Sequence, residues 1–448
     1  MNKKITYLFL IILFLAGTAF IIVRYKTGAG NNQISYYELQ ERKGALALSP
    51  EWDKTRNTAR NLFRSVAENP GDTKSVLGLA ALFIKEARIT GNYSYYDMAA
   101  LKQVDNVLKQ DPNNFMALTY KAMIYLSQHH FAEGLELATK AQKLNPYNAL
   151  VHGMLIDANV ELGKYADAVT NADKMVSLRP DLPSYSRISY LREIHGDYPG
   201  AIEAMKMAVE AGLPGEDGTE WTRVQLGHLY ENTGKLDSAE YEYAQSLIYR
   251  KGYAPAIAGL GHIGFVKGDY QRSISYYKEA DTLITDYTTK ENLAELYRLT
   301  GEQQKSDSLY SWIINAMSKD ADGANKNETI GHYVDRELAH AYLTVGDNDK
   351  ALEHALAEYN RRPNNIDINE TVAWVYYKKN DFQKAINYMD TALKTNCKNP
   401  TLLSHAGLVY AKGGDKTKAK QILIEALKRN PGIDIELKKE SETMLATL

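Results

Sequence analysis

The chain of 448 residues carries one cysteine, Cys397, so no intramolecular disulfide can form and CxxC metal or redox motifs are excluded. An excess of charge is lacking too: 53 Lys and Arg against 55 Asp and Glu leave a formal net charge of −2. Such balance gives no reason to expect nucleic acid or an acidic surface as partner. No strand pattern, dinucleotide-binding glycine box, P-loop, GxSxG elbow or HExxH helix occurs, which removes the commonest signatures of nucleotide chemistry, serine hydrolysis and zinc proteolysis. Phenylalanine is scarce, at 9 residues against 32 Tyr. With 44% hydrophobic and 24% charged residues, the composition is still that of a globular chain, long enough for several domains or one extended array.

The longest apolar run lies at the N-terminus. Lys3 and Lys4, in a basic flank of residues 1–4, precede an uncharged stretch from Ile5 to Val23, which Arg24 and Lys26 close. As a helix this stretch spans about 28 Å, close to a bilayer's hydrocarbon thickness. A signal peptide cut near Gly17 or Ala19 competes, but Phe20 to Val23 continue the run to a basic stop, which suits an uncleaved transmembrane signal-anchor over 5–23. The positive charges before the span put the rest of the chain on the outer, extracytoplasmic side. Residues 24–49, with "KTGAGNNQ" near their start, read as a linker.

The remainder repeats itself. Leu226, Gly227, Tyr230 and Gly234 recur as Leu260, Gly261 and Gly268, 34 residues on, then as Leu293, Ala294, Tyr297 and Gly301. Later copies carry Leu338, Ala339, Tyr342 and Gly346, then Ala373 and Tyr376, then Gly407, Tyr410 and Gly414. Upstream, Pro146 and Pro180 stand one repeat apart, with Gly196, Tyr198, Ala201 and Ala208 between them and the later copies. The pattern resembles the tetratricopeptide repeat, two antiparallel helices with small residues at their crossing. The resemblance implies an all-α, right-handed superhelical solenoid of nine to ten helix pairs over 73–433. A half-repeat helix over 50–72 precedes it and a polar capping helix over 434–448 comes after. Gly227 holds the eighth position, where a larger side chain would push the helices apart, and Tyr at the eleventh position is expected to pack over that crossing. The stretches "EWTRVQLGHLY" and "LSHAGLVYAKGGD" also resemble a group of exported bacterial repeat proteins without established activity.

In this family the first helix of each repeat lines the concave surface, and its fifth and ninth positions give two ladders. The ninth positions include Tyr190, His228, His262, Glu295, His340 and Trp374; the fifth positions include Glu291, Arg336 and Glu370. His, Glu, Arg and aromatic side chains in one groove point to a bound protein or peptide, with Trp374 the expected anchor. The alternatives are an exported metal-binding or hydrolase-like protein using the same His/Glu cluster, or a spacer subunit of an envelope complex. A zinc ion needs its ligands within about 2.0–2.3 Å, whereas equivalent positions of adjacent repeats lie about 10 Å apart. No catalytic residue, metal or cofactor is therefore expected. The insertion "SKDADGANKNET" (318–329) offers Asp320, Asp322, Asn325, Asn327 and Glu328 as oxygen donors without the order of an EF-hand, and reads as a solvated loop.

Overall fold

A computed structural model describes Thr18 and residues 37–322, 331–429 and 434–448. Most of the 5–23 run lies outside these residues. Among those described, no helix is long and apolar enough to cross a membrane. The repeats lie in a second unit that begins at residue 41.

After a short 3-10 turn, Gly44–Leu48, the described residues of this second unit form α-helices alone. The first, α1 (Pro50–Glu68), precedes the pairs and packs on the helix after it, its Phe63 ring 6.3 Å from that of Phe83. Ten antiparallel pairs come after it. They are α2/α3 (Thr73–Thr90, Tyr93–Gln110), α4/α5 (Phe115–Ser127, Phe131–Leu144), α6/α7 (Ala149–Glu161, Tyr165–Leu178), α8/α9 (Leu182–Ile194, Tyr198–Glu210) and α10/α11 (Asp217–Asn232, Leu236–Tyr249). The rest are α12/α13 (Ala254–Val266, Tyr270–Leu283), α14/α15 (Tyr287–Leu299, Gln303–Asp322), α16/α17 (Asp335–Thr344, Asn348–Arg361), α18/α19 (Ile366–Lys378, Phe382–Ala392) and α20/α21 (Pro400–Gly413, Lys416–Arg429). A last helix, α22 (Ile435–Thr447), closes the chain. Helix α15 carries the start of the 318–329 insertion: no breaker precedes Gly323, and buried Met317 ties its last turns to the core, so residues 318–322 are helical rather than loop. Residues 323–330 lie outside the described set.

Local chemistry starts and stops these helices. Asp197, Asp269, Asp347, Asp381 and Asp415 each come just after the turn between the two helices of a pair. Each side chain accepts a backbone N–H three residues on, at 3.0 to 3.3 Å, which satisfies an otherwise orphaned donor. Gly268 ends α12 with φ +77°, a left-handed conformation that costs glycine nothing. Asn148, Asn365 and Asn399 cap the first helices of their pairs in the same way.

The core runs as a seam between the helices of each pair, lined by fully buried small residues such as Ala168, Ala201, Ala239, Ala294 and Ala339. Tyr243 and Tyr277 fill the seam from the second helices. A Cβ on Gly227 would meet the Tyr243 ring at 2.3 Å, and one on Gly261 would meet Tyr277 at 3.1 Å. The crossing is therefore filled by a tyrosine of the partner helix rather than by the eleventh-position tyrosine expected from sequence. The two rings stand 34 residues apart, as the two glycines do.

The seam also joins segments far apart in sequence. The Tyr165 hydroxyl accepts the Ile366 N–H at 2.9 Å, the Asn365 side chain donates to Glu161 O at 3.1 Å, and Arg362 pairs with Glu161. His129 Nδ1 donates to Tyr333 O at 2.9 Å, and the Tyr333 N–H to Gln128 O at 3.2 Å. Thr285 N–H donates to Thr90 O at 3.4 Å. These contacts link positions about 200 residues apart, the length of six helix pairs, so the superhelix returns on itself after six repeats and successive turns touch. One apolar cluster accordingly runs through Ile156, Tyr165 and Met175 of the first turn and Val372, Val409 and Leu437 of the second.

Candidate functional site

The first helices of the pairs face the inside of this winding, and their ladder residues fall into open and closed sets. Tyr190 on α8 is 39% exposed, and its hydroxyl pKa is raised well above the ordinary value by burial of the surrounding region and by the Asp367, Glu161 and Glu193 carboxylates. His228 on α10 is exposed and meets the Tyr243 ring edge-on at 5.8 Å. Its pKa is lowered by desolvation inside the winding. Glu291 on α14 has its carboxyl pushed up to about 7 by desolvation, then by Asp286 and Glu337.

The other ladder residues are engaged with their neighbours. His262 on α12 donates Nδ1–H to Glu231; burial opposes the imidazolium, but the Glu231 hydrogen bond and charge outweigh it and raise the pKa. Glu295 accepts two bonds from Arg298, at 2.9 and 2.6 Å. His340 meets Thr371 Oγ1 at 3.2 Å, and desolvation with the nearby Arg336 guanidinium pushes it down to about 4, a neutral ring at pH 7. Glu370 accepts from His405 Nδ1, and the Arg336 Nε is buried without a hydrogen-bond partner among the described residues.

Trp374, expected to offer a free ring, is 8% exposed. His405 stacks on it at 3.7 Å and Tyr377 at 4.7 Å, with the Lys378 ammonium 4.5 Å from the ring centre. Helix α18 is buried nearly all round because it lies where the two turns and the C-terminal helix meet, so its tryptophan serves packing.

The fifth and ninth ladders miss part of this surface. Glu193, Glu231, Arg298 and Tyr377 lie three residues beyond Tyr190, His228, Glu295 and Trp374 on the same helix face. The i, i+3 spacing was the signal available for them. Arg187 pairs with Asp157 of the preceding repeat at 2.8 and 2.7 Å, and Glu193, whose carboxylate accepts from Asn232, is pushed up to about 7 by desolvation and by Asp367. The histidines are thus taken up pairwise, His262 by Glu231 and His405 by Glu370. Among the described residues no group of three or more His, Cys, Asp or Glu is placed to hold a metal ion. Of the insertion, Asp320 accepts the Tyr287 hydroxyl at 2.5 Å.

Known proteins share the repeat. A tetratricopeptide-repeat family profile matches residues 372–432. Among solved structures, the APC/C hetero-tetramer Cut9–Hcn1 aligns with 84% of this chain and 64% of its own at a TM-score of 0.37 and 14% identity. Superkiller protein 3 of Saccharomyces cerevisiae is 20% identical over 315 residues, 67% of this chain, which spans 20% of that relative's length. Photosystem I assembly protein Ycf3 of Prochlorococcus marinus is 36% identical over 122 residues, 25% of this chain and 68% of that one. On its repeats, its helix-pair seam and the matches to the family profile and to Ycf3, the chain belongs to the tetratricopeptide-repeat proteins.

Proposed function

We propose that the chain is a non-catalytic scaffold that binds a protein or peptide partner along the inner face of its superhelix. Tetratricopeptide-repeat proteins act as scaffolds for protein–protein interaction, which supports the general class. The observation that carries the reading is the open part of the ladder. Tyr190 and His228 are exposed inside the winding and Glu291 is only partly buried there, whereas Trp374, used for packing, is sealed. An aromatic flanked by such groups is a usual anchor arrangement. The role assigned from sequence to Trp374 passes in this reading to Tyr190, with His228, Glu291 and Arg336 on other first helices of the winding. The scaffold would be held at a membrane by residues 5–23 with the array outside, a reading that rests on sequence.

The test places a photo-crosslinking benzoylphenylalanine at position 190 or, as control, at position 350 on the outward face of α17. Adducts with one defined partner at 190 and none at 350 are expected, and Tyr190→Ala with His228→Ala should weaken that partner's binding at least tenfold. Equal adducts at both positions would sink the groove reading. Carbonate extraction of the full chain tests the anchor: release into the supernatant overturns it.

A further inference from the structure

A capping helix needs contact only with the last repeat, yet α22 reaches much further. Leu437 and Ser441 are buried and, with Met444 and Leu445, set α22 on the final helix pairs as a cap. Its acidic edge leaves that pair. Glu436 Oε1 accepts from Arg298 Nη1 at 2.6 Å, on a helix four pairs earlier. Glu440 accepts the Tyr377 hydroxyl at 2.7 Å and lies 3.5 Å from the Lys378 ammonium. Asp434, which caps α22 through the Leu437 N–H at 2.7 Å, closes a cavity of about 130 Å³ against His262, Asn292 and Glu295. The first turns of α22 therefore cross the inner face from α12 to α18.

The receiving side is prepared for a carboxylate. Glu295 holds Arg298 through Nε and Nη2, which leaves Nη1 to point inward. The bridging bonds are also weak ones. Glu436 keeps 67% of its side chain in solvent and Arg298 28%, and ion pairs so exposed contribute little. The apolar cap holds α22 on the array, while the acidic edge is free to exchange.

We propose that α22 is the groove's own ligand, its acidic edge occupying a carboxylate subsite made by Arg298, Tyr377 and Lys378, and that the partner enters there with an acidic amphipathic helix that displaces this edge. This rests on the groove reading above and adds the partner's chemistry and a competitor built into the chain. Charge complementarity argues for that occupant: the two cations and the hydroxyl of the subsite all meet glutamates of α22.

The test uses the full chain, hydrogen–deuterium exchange of residues 435–441, and a fluorescein-labelled peptide of residues 434–448 as probe. Glu436→Ala with Glu440→Lys removes one bridge and sets a second ammonium against that of Lys378. Exchange over 435–441 should rise at least tenfold while α20 and α21 stay protected, and adding Lys378→Glu should restore protection. The same double variant should bind the peptide at least tenfold more tightly than the wild type, and Arg298→Ala should abolish the gain. Unchanged exchange, equal peptide binding by wild type and variant, or a gain that survives Arg298→Ala would each overturn the proposal. If these results hold but no partner crosslinks at position 190, the scaffold reading fails and the internal ligand stands. Crosslinking without them has the reverse meaning.

Discussion

Gly227 shows how one residue serves both packing and the inner face. The ring of Tyr243 lies on it, a Cβ on Gly259 of the next pair would meet the same ring at 2.8 Å, and the Tyr243 hydroxyl donates to Glu231 at 2.5 Å. Glu231 in turn accepts from His262, so a packing contact continues into the ladder. Gly227→Leu should cost about 1–3 kcal/mol by overpacking, and neighbouring repeats should loosen with it; thermal melting that is unchanged would contradict the arrangement. Glu231→Gln isolates the charge. The His262 pKa, raised in the wild type, should fall in NMR titration. The sign of the stability change depends on both partners. The imidazole contribution is complete below its ordinary value of 6.5 and fades as pH rises through the raised pKa. The carboxylate contribution is complete above 4.5 and fades as pH falls through the lowered one. The stability gap between wild type and Glu231→Gln should therefore be largest between those two values.

At the scale of elements, the turns between helices do more than reverse the chain. Gly163, at the end of α6, has φ +71°, and a Cβ there would meet Asn364 O at 2.1 Å, across the contact between superhelical turns. Gly268, with φ +77°, occupies the same kind of turn, and a Cβ there would meet nothing within 4 Å among the described residues. Gly268→Ala should cost only the left-handed backbone penalty of about 1–2 kcal/mol. Gly163→Ala should cost that and an overpacking penalty of about 1–3 kcal/mol. Equal shifts in chemical denaturation would show that the two turns of the superhelix do not pack on each other in solution.

Over the whole molecule, the six-repeat winding desolvates what it encloses. Glu193 and Glu291 are both raised to about 7, Glu193 by burial and Asp367, Glu291 by burial, Asp286 and Glu337. A carboxyl whose folded pKa is raised contributes stability below its unfolded value, and that contribution is lost as pH rises through the folded one. Glu193→Gln and Glu291→Gln should therefore leave stability nearly unchanged at pH 4 and raise it by about 1–3 kcal/mol each at pH 8. Destabilisation at pH 8 in urea titration would mean that these carboxylates are held by favourable partners in the winding.

The helix pairs, their caps and their small-residue seams are short-range matters. Leu226, Gly227 and Gly234 act within one pair, and Asp269 caps the helix that begins beside it. The 34-residue period was therefore sufficient to place them, and the residues that could face inward came from the same register. The burial of Trp374 and the subsite of Arg298, Tyr377 and Lys378 were not legible. Whether an inward residue stays open depends on contacts made six pairs away, as at Glu161 and Arg362, or four pairs away, as at Arg298 and Glu436. Those contacts are set by the angle added at each repeat. That angle is a sum of small packing differences along the seam, and a one-dimensional pattern carries it only implicitly. Sequence by itself determined the repeat, its register and the inward face; only the closed winding decided which inward side chains are sealed as core, which remain open, and that the chain's own C-terminal helix lies across them.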